Sequence, residues 1–463
     1  MVVVENGKPY GEEAAPAAKL AVATGEVKIL EKTTVLPRKL PEKRMLQLAT
    51  FDLPYITFYY NQKLLVYKGG VEEYAVVVGR MKEALAAALD EFYPLAGKLV
   101  QDEEGVLHVD CGGEGEEAEP QGVEVVVAEA EGVEAADLAE GDAVEELMKK
   151  VVPYTGVMNL EGLRRPLLAV QFTKLTDGIA LGCAFNHAIL DGNSTWRFMI
   201  SWAGLTRGEP VSNPPVHDRT LARSARVPLS LPPSAAAHEL ADPNPAPPTA
   251  LRSRLFSFPE SAVLRLKSST NSSLSDNTKP FSTFQSLAAH AWRSISRARR
   301  LPPESITVFA VFTDCRLRVR PSIPDSYFGN LIQAVFTGTA VGALLTAPPQ
   351  FAAGLLQKAI DDHDDATVKR RLEEYEANPK MFYFTDAGVN CVAVGSSPRF
   401  RVYEVDFGFG MPERVRSGKN NKFDGMMYLY PARDGGMGID VELSLDAAAM
   451  ENLEQDEEFL NLG

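Results

Sequence analysis

The chain has 463 residues, 45% hydrophobic and 24% charged, the profile of a soluble globular protein with room for disorder only in local stretches. That length exceeds what one ordinary core organises, so two domains or two similar halves are expected. A formal net charge of -15 at pH 7 argues against nucleic acid and anionic membranes as main partners, because both require a basic surface.

The acidity is uneven. It gathers between residues 102 and 146, whereas Arg297, Arg299, Arg300, Arg316, Arg318, Arg320, Arg414, Arg416, Lys419 and Lys422 fall in the later half. Such a basic region suits a small polyanion, although an ordinary solvated face is the better explanation of any one of these charges taken alone. Cys111, Cys183, Cys315 and Cys391 are widely spaced, with no paired C-x-x-C unit that would point to a metal or redox site. Reduced thiols in the cytoplasm are expected. The N-terminus, with Glu5, Glu12 and Glu13, lacks the basic start and apolar run of a secretory signal, and no apolar run reaches membrane-spanning length.

In chain order, residues 1 to about 25 read as a loose leader and Glu26 to Leu36 as a first strand. Pro54 makes Phe51-Asp52-Leu53-Pro54 a loop or strand-edge entry, and the aromatic run Phe58-Tyr59-Tyr60 follows. Tyr59 and Tyr60 either line a pocket or join the core. Helical spacing of Met81, Leu85, Ala88, Leu89 and Phe92 predicts a helix over 77–92 that ends at Pro94. Leu95 to Val100 leads into a strand, Gly112 to Gly122 is a loop, Val123 to Val127 a strand, and Ala135 to Val151 a helix.

Leu167 to Leu175 and Ile179 to Phe185 form a predicted hairpin about the turn Thr176-Asp177-Gly178. It delivers Asn186-His187-Ala188-Ile189-Leu190-Asp191-Gly192 to the start of a helix capped by Asn193 or Ser194. Ten prolines from Pro210 to Pro248 mark a crossover between halves. Beyond it, Leu255 to Phe258 and Ser261 to Lys267 restart ordered chain, and Ser282-Thr283-Phe284-Gln285 is a capping-box start for a helix through Ile295. Val308 to Thr313 reads as a buried strand. Gly329-Asn330 allows unusual backbone angles and close approach of a ligand. A charged helix over 361–376 precedes strands at Arg401 to Val405, Gly425 to Tyr430 and Gly438 to Leu443. Alternating strands and helices in both parts indicate an α/β arrangement with mixed sheets.

A histidine four residues before an aspartate could be a general base with its anchor, but spacing alone decides nothing: His238 and Asp242 repeat it. The latter pair sits among prolines with no strand before it, whereas His187 and Asp191 lie between a strand end and a helix start, where a rigid scaffold holds loop side chains. No Ser in an elbow motif is nearby, so direct base catalysis on a bound acceptor is preferred to a triad. Asp191 either orients the imidazole or fixes the loop by pairing with an arginine. Asp406-Phe407-Gly408 matches the metal motif of protein kinases, but the other kinase motifs are missing.

His187 to Gly192 together with Asp406-Phe407-Gly408-Phe409-Gly410 resembles the plant BAHD acyltransferases. Supporting matches are Tyr93 to Leu99, Ala288 to Arg293, Asp314-Cys315-Arg316-Leu317-Arg318 and Tyr327-Phe328-Gly329-Asn330. Phe51 to Tyr55, Phe58 to Lys63 and Phe409 through Gly425 look most like the defective in cuticular ridges type within that family. Two departures, Phe409 in place of a family tryptophan and Ser397-Pro398 in place of Ser-Trp, touch the acyl pocket.

The resemblance implies two chloramphenicol-acetyltransferase-like α/β halves, 1–207 and 251–463, joined by a crossover linker at 208–250, with the active-site channel at their interface. It implies that His187 deprotonates a hydroxyl acceptor attacking an acyl-CoA, that Asp191 pairs with Arg316, and that Asp406, Gly408 and Gly410 hold the interface. Tyr59, Tyr60, Ser282, Phe328, Gly329, Asn330 and Phe409 are candidates for the channel. The subgroup implies a hydroxy fatty acid or glyceride acceptor in cutin formation. Hydroxycinnamoyl transfer to a phenolic or amine, and a non-catalytic role beside fatty-acid elongation, are the alternatives. Acyl-CoA is expected as co-substrate, with no tightly bound cofactor, no metal, no transmembrane segment and a monomeric chain.

Overall fold

Segments that the sequence keeps apolar on both faces become central strands here, and alternating segments become edges. The computed structural model describes residues 25–39, 41, 45–112, 121–139, 144–231, 250–272, 274–275, 278–383, 386, 388 and 390–461. The expected leader, most of the acidic loop at 112–122, and the prolines from 232 onward with His238 and Asp242 lie outside these residues.

The strands of the first part are β1 (Val27–Val35), β2 (Met45–Gln47), β3 (Asn61–Lys68), β4 (Lys98–Gln101), β5 (Leu107–Asp110), β6 (Val123–Ala130), β7 (Leu168–Lys174) and β8 (Gly178–Phe185). Those of the second are β9 (Leu251–Phe258), β10 (Ile306–Asp314), β11 (Ile332–Ala340), β12 (Cys391–Val394), β13 (Arg414–Ser417), β14 (Met426–Pro431) and β15 (Ile439–Asp446). They build two six-stranded mixed sheets, ordered β1-β6-β7-β8-β3-β13 and β11-β10-β12-β14-β15-β9, and a small sheet β2-β5-β4. Parallel pairs are β6–β7 in the first sheet and β10–β12 and β12–β14 in the second. The two sheets are the duplicated α/β architecture expected of the family resembled.

The sheets are not independent. β13 comes from the later part of the chain yet pairs antiparallel with β3 of the first sheet, Arg414 opposite Val66 and Ser417 opposite Lys63. The helices Tyr74–Glu91 and Gly192–Thr206 cover the first sheet, and the Trp202 indole donates to the Met81 carbonyl (2.8 Å) between them. In the second part, Thr283–Ala298 is capped by the expected box: Ser282 Oγ accepts from the Gln285 amide and Gln285 Oε1 from the Ser282 amide. No helix among the described residues is long and apolar enough to cross a membrane.

Several local expectations are corrected. The predicted strand at Arg401 to Val405 is a 3-10 turn, Val402–Glu404, bridged by an Arg401–Glu404 ion pair (2.6 Å). The charged segment at 361–376 belongs to two helices, Pro349–Asp361 and Asp365–Ala377, because Asp364 caps the Thr367 amide (2.9 Å) and restarts the chain. Helix Gly192–Thr206 starts earlier than expected, with Asp191 rather than Asn193 or Ser194 as its N-cap. The helix predicted over 135–151 is described as Ala135–Ala139 and Val144–Val151.

Candidate active site

β8 runs out at Phe185 and the next helix begins at Gly192, so residues 186–191 must turn between two buried elements. Buried asparagines supply the hydrogen bonds that this turn needs. Asn159 Oδ1 accepts from the His187 amide (2.8 Å), its Nδ2 donates to the Tyr55 carbonyl (2.7 Å), and its carbonyl accepts from Asn186 Nδ2 (2.7 Å). From the other half, Asn330 Nδ2 donates to the His187 carbonyl (2.8 Å). The His187 main chain is therefore held from both sides.

The imidazole stacks on Tyr55, with ring centroids 4.7 Å apart and planes 9° from parallel. Nδ1 is buried, and among the described residues no well-formed hydrogen bond reaches it. Burial pushes the ring's pKa below its ordinary value against the opposing pull of its own carbonyl, of Asp191 and of the Asn330 side chain, while Lys63 adds to the depression. His187 is thus neutral at pH 7, the state a base requires.

Asp191 is 0% exposed and faces away from this role. Arg316, 2% exposed, donates to it through Nη1 (2.8 Å) and Nη2 (3.2 Å), and the amides of Ser194 (2.9 Å) and Leu331 (3.1 Å) complete its shell. Burial alone would raise its pKa; the Arg316 guanidinium and these amides outweigh that and hold the carboxyl below its usual range. A second buried ion pair lies alongside. Asp52 accepts from Arg219 (2.5 Å) and from Asn330 Nδ2 (3.0 Å), and Arg219 Nη2 donates to the Ile189 carbonyl (2.8 Å). Both ion pairs grip the same loop.

His187 opens on a cavity of about 1220 Å³ walled by both halves, with Tyr55 and Trp196 from the first and Phe312, Phe400 and Tyr428 from the second. Gly192 lets the second half approach: a Cβ there would stand 2.7 Å from the Phe400 ring. A neutral histidine facing a large two-sided cavity suits attack of one bound molecule on another.

The Transferase family profile matches residues 25–460. BAHD acyltransferase DCR of Arabidopsis thaliana is 52% identical over 94% of this chain and 92% of its own length. The chain belongs to the BAHD acyltransferase family. It is an acyl-CoA-dependent acyltransferase. Hydroxycinnamoyltransferase 2 of Oryza sativa subsp. japonica is 34% identical, over 80% of this chain and 85% of its own. Vinorine synthase shares the fold at 20% identity, with a TM-score of 0.71 over 92% of this chain and 96% of its own.

In this BAHD acyltransferase the Asp406 motif stands apart from the cavity lining. Asp406 Oδ1 accepts from the amides of Gly408 (2.7 Å) and Gly410 (2.9 Å), which the two glycines permit at φ of +99° and +107°. Phe407 packs edge-on against Trp202 (4.9 Å), Phe409 meets Tyr67 (5.1 Å), and the Tyr67 hydroxyl donates to the Val405 carbonyl (2.8 Å). The motif fastens the second half to β3 and to the helix that follows Asp191.

Of the channel candidates, Ser282 lines the cavity. Tyr59, Tyr60, Phe328, Gly329, Asn330 and Phe409 are not in its wall. Tyr60 is buried with its hydroxyl on the Pro166 carbonyl (3.0 Å), Phe328 packs on Phe92 (5.2 Å), and the Gly329 carbonyl accepts from Ser194 Oγ (3.1 Å). Many of the later basic residues are engaged within the protein: Arg297 with Asp456 (2.7 Å), Arg299 with Asp424 (3.2 Å), Arg414 with Asp440 (2.6 Å). Asn159, Asp52, Arg219 and the stacking of Tyr55 were not found by sequence reasoning. Phe51 to Tyr55 carried family likeness but no chemical signal, and Asn159 carried neither. Among the described residues no group of three or more His, Cys, Asp or Glu could hold a metal ion.

Proposed function

We propose that His187 is the general base of acyl transfer from an acyl-CoA to the hydroxyl of a hydroxy fatty acid or glyceride in cutin or cuticle lipid formation. The observation that carries this reading is a neutral, stacked imidazole at the cavity wall whose Nδ1 is buried, so that Nε2 is the nitrogen left to meet a substrate. The acceptor O–H gives its proton to Nε2 as its oxygen bonds to the thioester carbon. The tetrahedral intermediate then expels the CoA thiolate, which takes that proton and leaves as free thiol.

Asp191 and Arg316 hold the loop that carries the base, and Asp406, Gly408 and Gly410 hold the halves together. The acceptor class rests on the subgroup likeness and on the 52% identity to BAHD acyltransferase DCR. We place the halves at 1–207 and 251–463 with the crossover at 208–250. We also propose a cytoplasmic monomer; four free, buried cysteines support a reducing compartment.

The test offers purified protein a panel of acyl-CoA donors with hydroxy fatty acid, glyceride, phenolic and amine acceptors and measures released CoA. Transfer to the first two, reduced about 10²–10⁴-fold in His187→Ala, is the expected result. Full turnover in His187→Ala would remove the base assignment. Absence of transfer from every donor would favour the non-catalytic alternative.

A further inference from the structure

β3 brings two polar side chains, Asn61 and Lys63, to the same cavity as His187. They alternate onto one strand face, and the register sets Asn61 opposite Phe185, two residues before the base. Lys63 is 3% exposed, an unusual place for an ammonium without a full ion pair. Among the described residues it makes one hydrogen bond, to Asn61 Oδ1 (3.0 Å), and stands 5.8 Å from the centroid of the Tyr428 ring. A lysine has three N–H donors, so two are left for something else.

The surrounding charges sharpen the point. Glu442, buried behind this wall, is committed to Lys422 (3.0 Å), Arg416 (3.3 Å) and both the amide (2.9 Å) and hydroxyl (2.8 Å) of Ser417. Two cations therefore occupy that carboxylate, and among the described residues Lys63, which borders the cavity, forms no ion pair with it. Burial pushes the Lys63 ammonium down to about 8, with Glu442 pulling the other way, so it is still mostly charged at pH 7. An unbalanced buried cation at a cavity wall is costly unless an anion joins it.

We propose that Lys63 and Asn61 form a carboxylate-binding subsite of the reaction cavity, so that the enzyme selects a substrate carrying a free carboxyl group besides the reacting one. This rests on the acyltransferase reading above and narrows it. The carboxylate has two possible sources, a hydroxy fatty acid acceptor or an acyl chain ending in a second carboxyl.

Calorimetric titration and CoA release together test it. Wild type, Lys63→Met and Lys63→Arg are each given a hydroxy fatty acid and its methyl ester, then an acyl-CoA with a terminal carboxyl and its plain counterpart. In one of the two pairs wild type should prefer the free carboxylate by about tenfold to a hundredfold, the worth of one charge-assisted hydrogen bond. The pair that shows the preference names the source. Lys63→Met should abolish that ratio while Lys63→Arg keeps part of it, and melting temperature reports whether each variant is folded. No preference in either pair, or equal weakening of acid and ester in Lys63→Met, overturns the subsite. Titration needs no turnover, so absence of CoA release would break the acyltransferase reading while binding still decides the subsite.

Discussion

Asp191 and Asp406 each open a short glycine-containing motif and fold two main-chain N–H groups onto their carboxylates, yet their surroundings are opposite. Asp191 is sealed in the interface against Arg316, and its amide donors come from two different halves, Ser194 and Leu331. Asp406 is partly exposed, its donors are its near neighbours Gly408 and Gly410, and Arg207 bonds its carbonyl oxygen. One local turn chemistry thus serves two ends. In low dielectric it locks the loop that carries His187 across an interface; nearer solvent it shapes a bend whose aromatics do the packing.

The largest effect that sharpens this contrast is expected at Asp191. Asp191→Ala leaves Arg316 buried and short of its main partner, and loss of stability of about 3–5 kcal/mol is expected, read by denaturant unfolding and by soluble yield. Asp191→Asn keeps the cap and should fall between. A variant that melts normally but does not turn over would make Asp191 an orienting group instead. His187→Ala should show the complementary behaviour, a rate about 10²–10⁴-fold lower with a smaller loss of stability than Asp191→Ala, measured by the same unfolding.

The pH profile separates the same two roles. Because burial lowers the His187 pKa, the neutral base persists below the ordinary histidine value, and kcat/KM should plateau by pH 7 with its acid limb below about 6.5. A limb centred above that value would contradict the assignment. Acid unfolding comes lower. Burial opposes ionisation of Glu442, but Lys422 and Arg416 overcome it and hold the group at about 2 against an ordinary 4.5. Its stabilisation is complete above 4.5 and lost as pH falls toward 2, so circular dichroism should report folded protein through the kinetic limb. The smallest effect belongs to the exposed motif. Asp406→Ala removes acceptors for two amides and should cost about 1 kcal/mol, measured by thermal melting, with CoA release retained by the folded fraction.

Much of the fold was legible because its central elements are strongly patterned. β7 is β-prone and mostly apolar and β8 is a continuous apolar run, on either side of a Thr-Asp-Gly turn, and the Ser282 capping box announces its helix in four residues. β11 and β13 were missed for a physical reason. β11 is a half-exposed edge with no clean alternation, and β13 is four residues, Arg-Val-Arg-Ser, that become a strand because β3 offers an open edge. Arg401 to Val405 has strand composition but folds as a turn.

The sequence by itself determined the family, the two mixed-sheet halves and a base candidate on a loop after a buried strand, since motif spacing and apolar pattern are local properties. Context also separated His187 from His238. Only the tertiary structure decided what holds that loop. Asn159, Asn330, Asp52 and Arg219 converge on it from four separate stretches of chain, and a buried hydrogen-bond donor finds its acceptor by packing rather than by spacing. The same is true of Lys63. Its sequence context is an ordinary strand, and its one-sided coordination became visible once the two sheets had closed around Glu442.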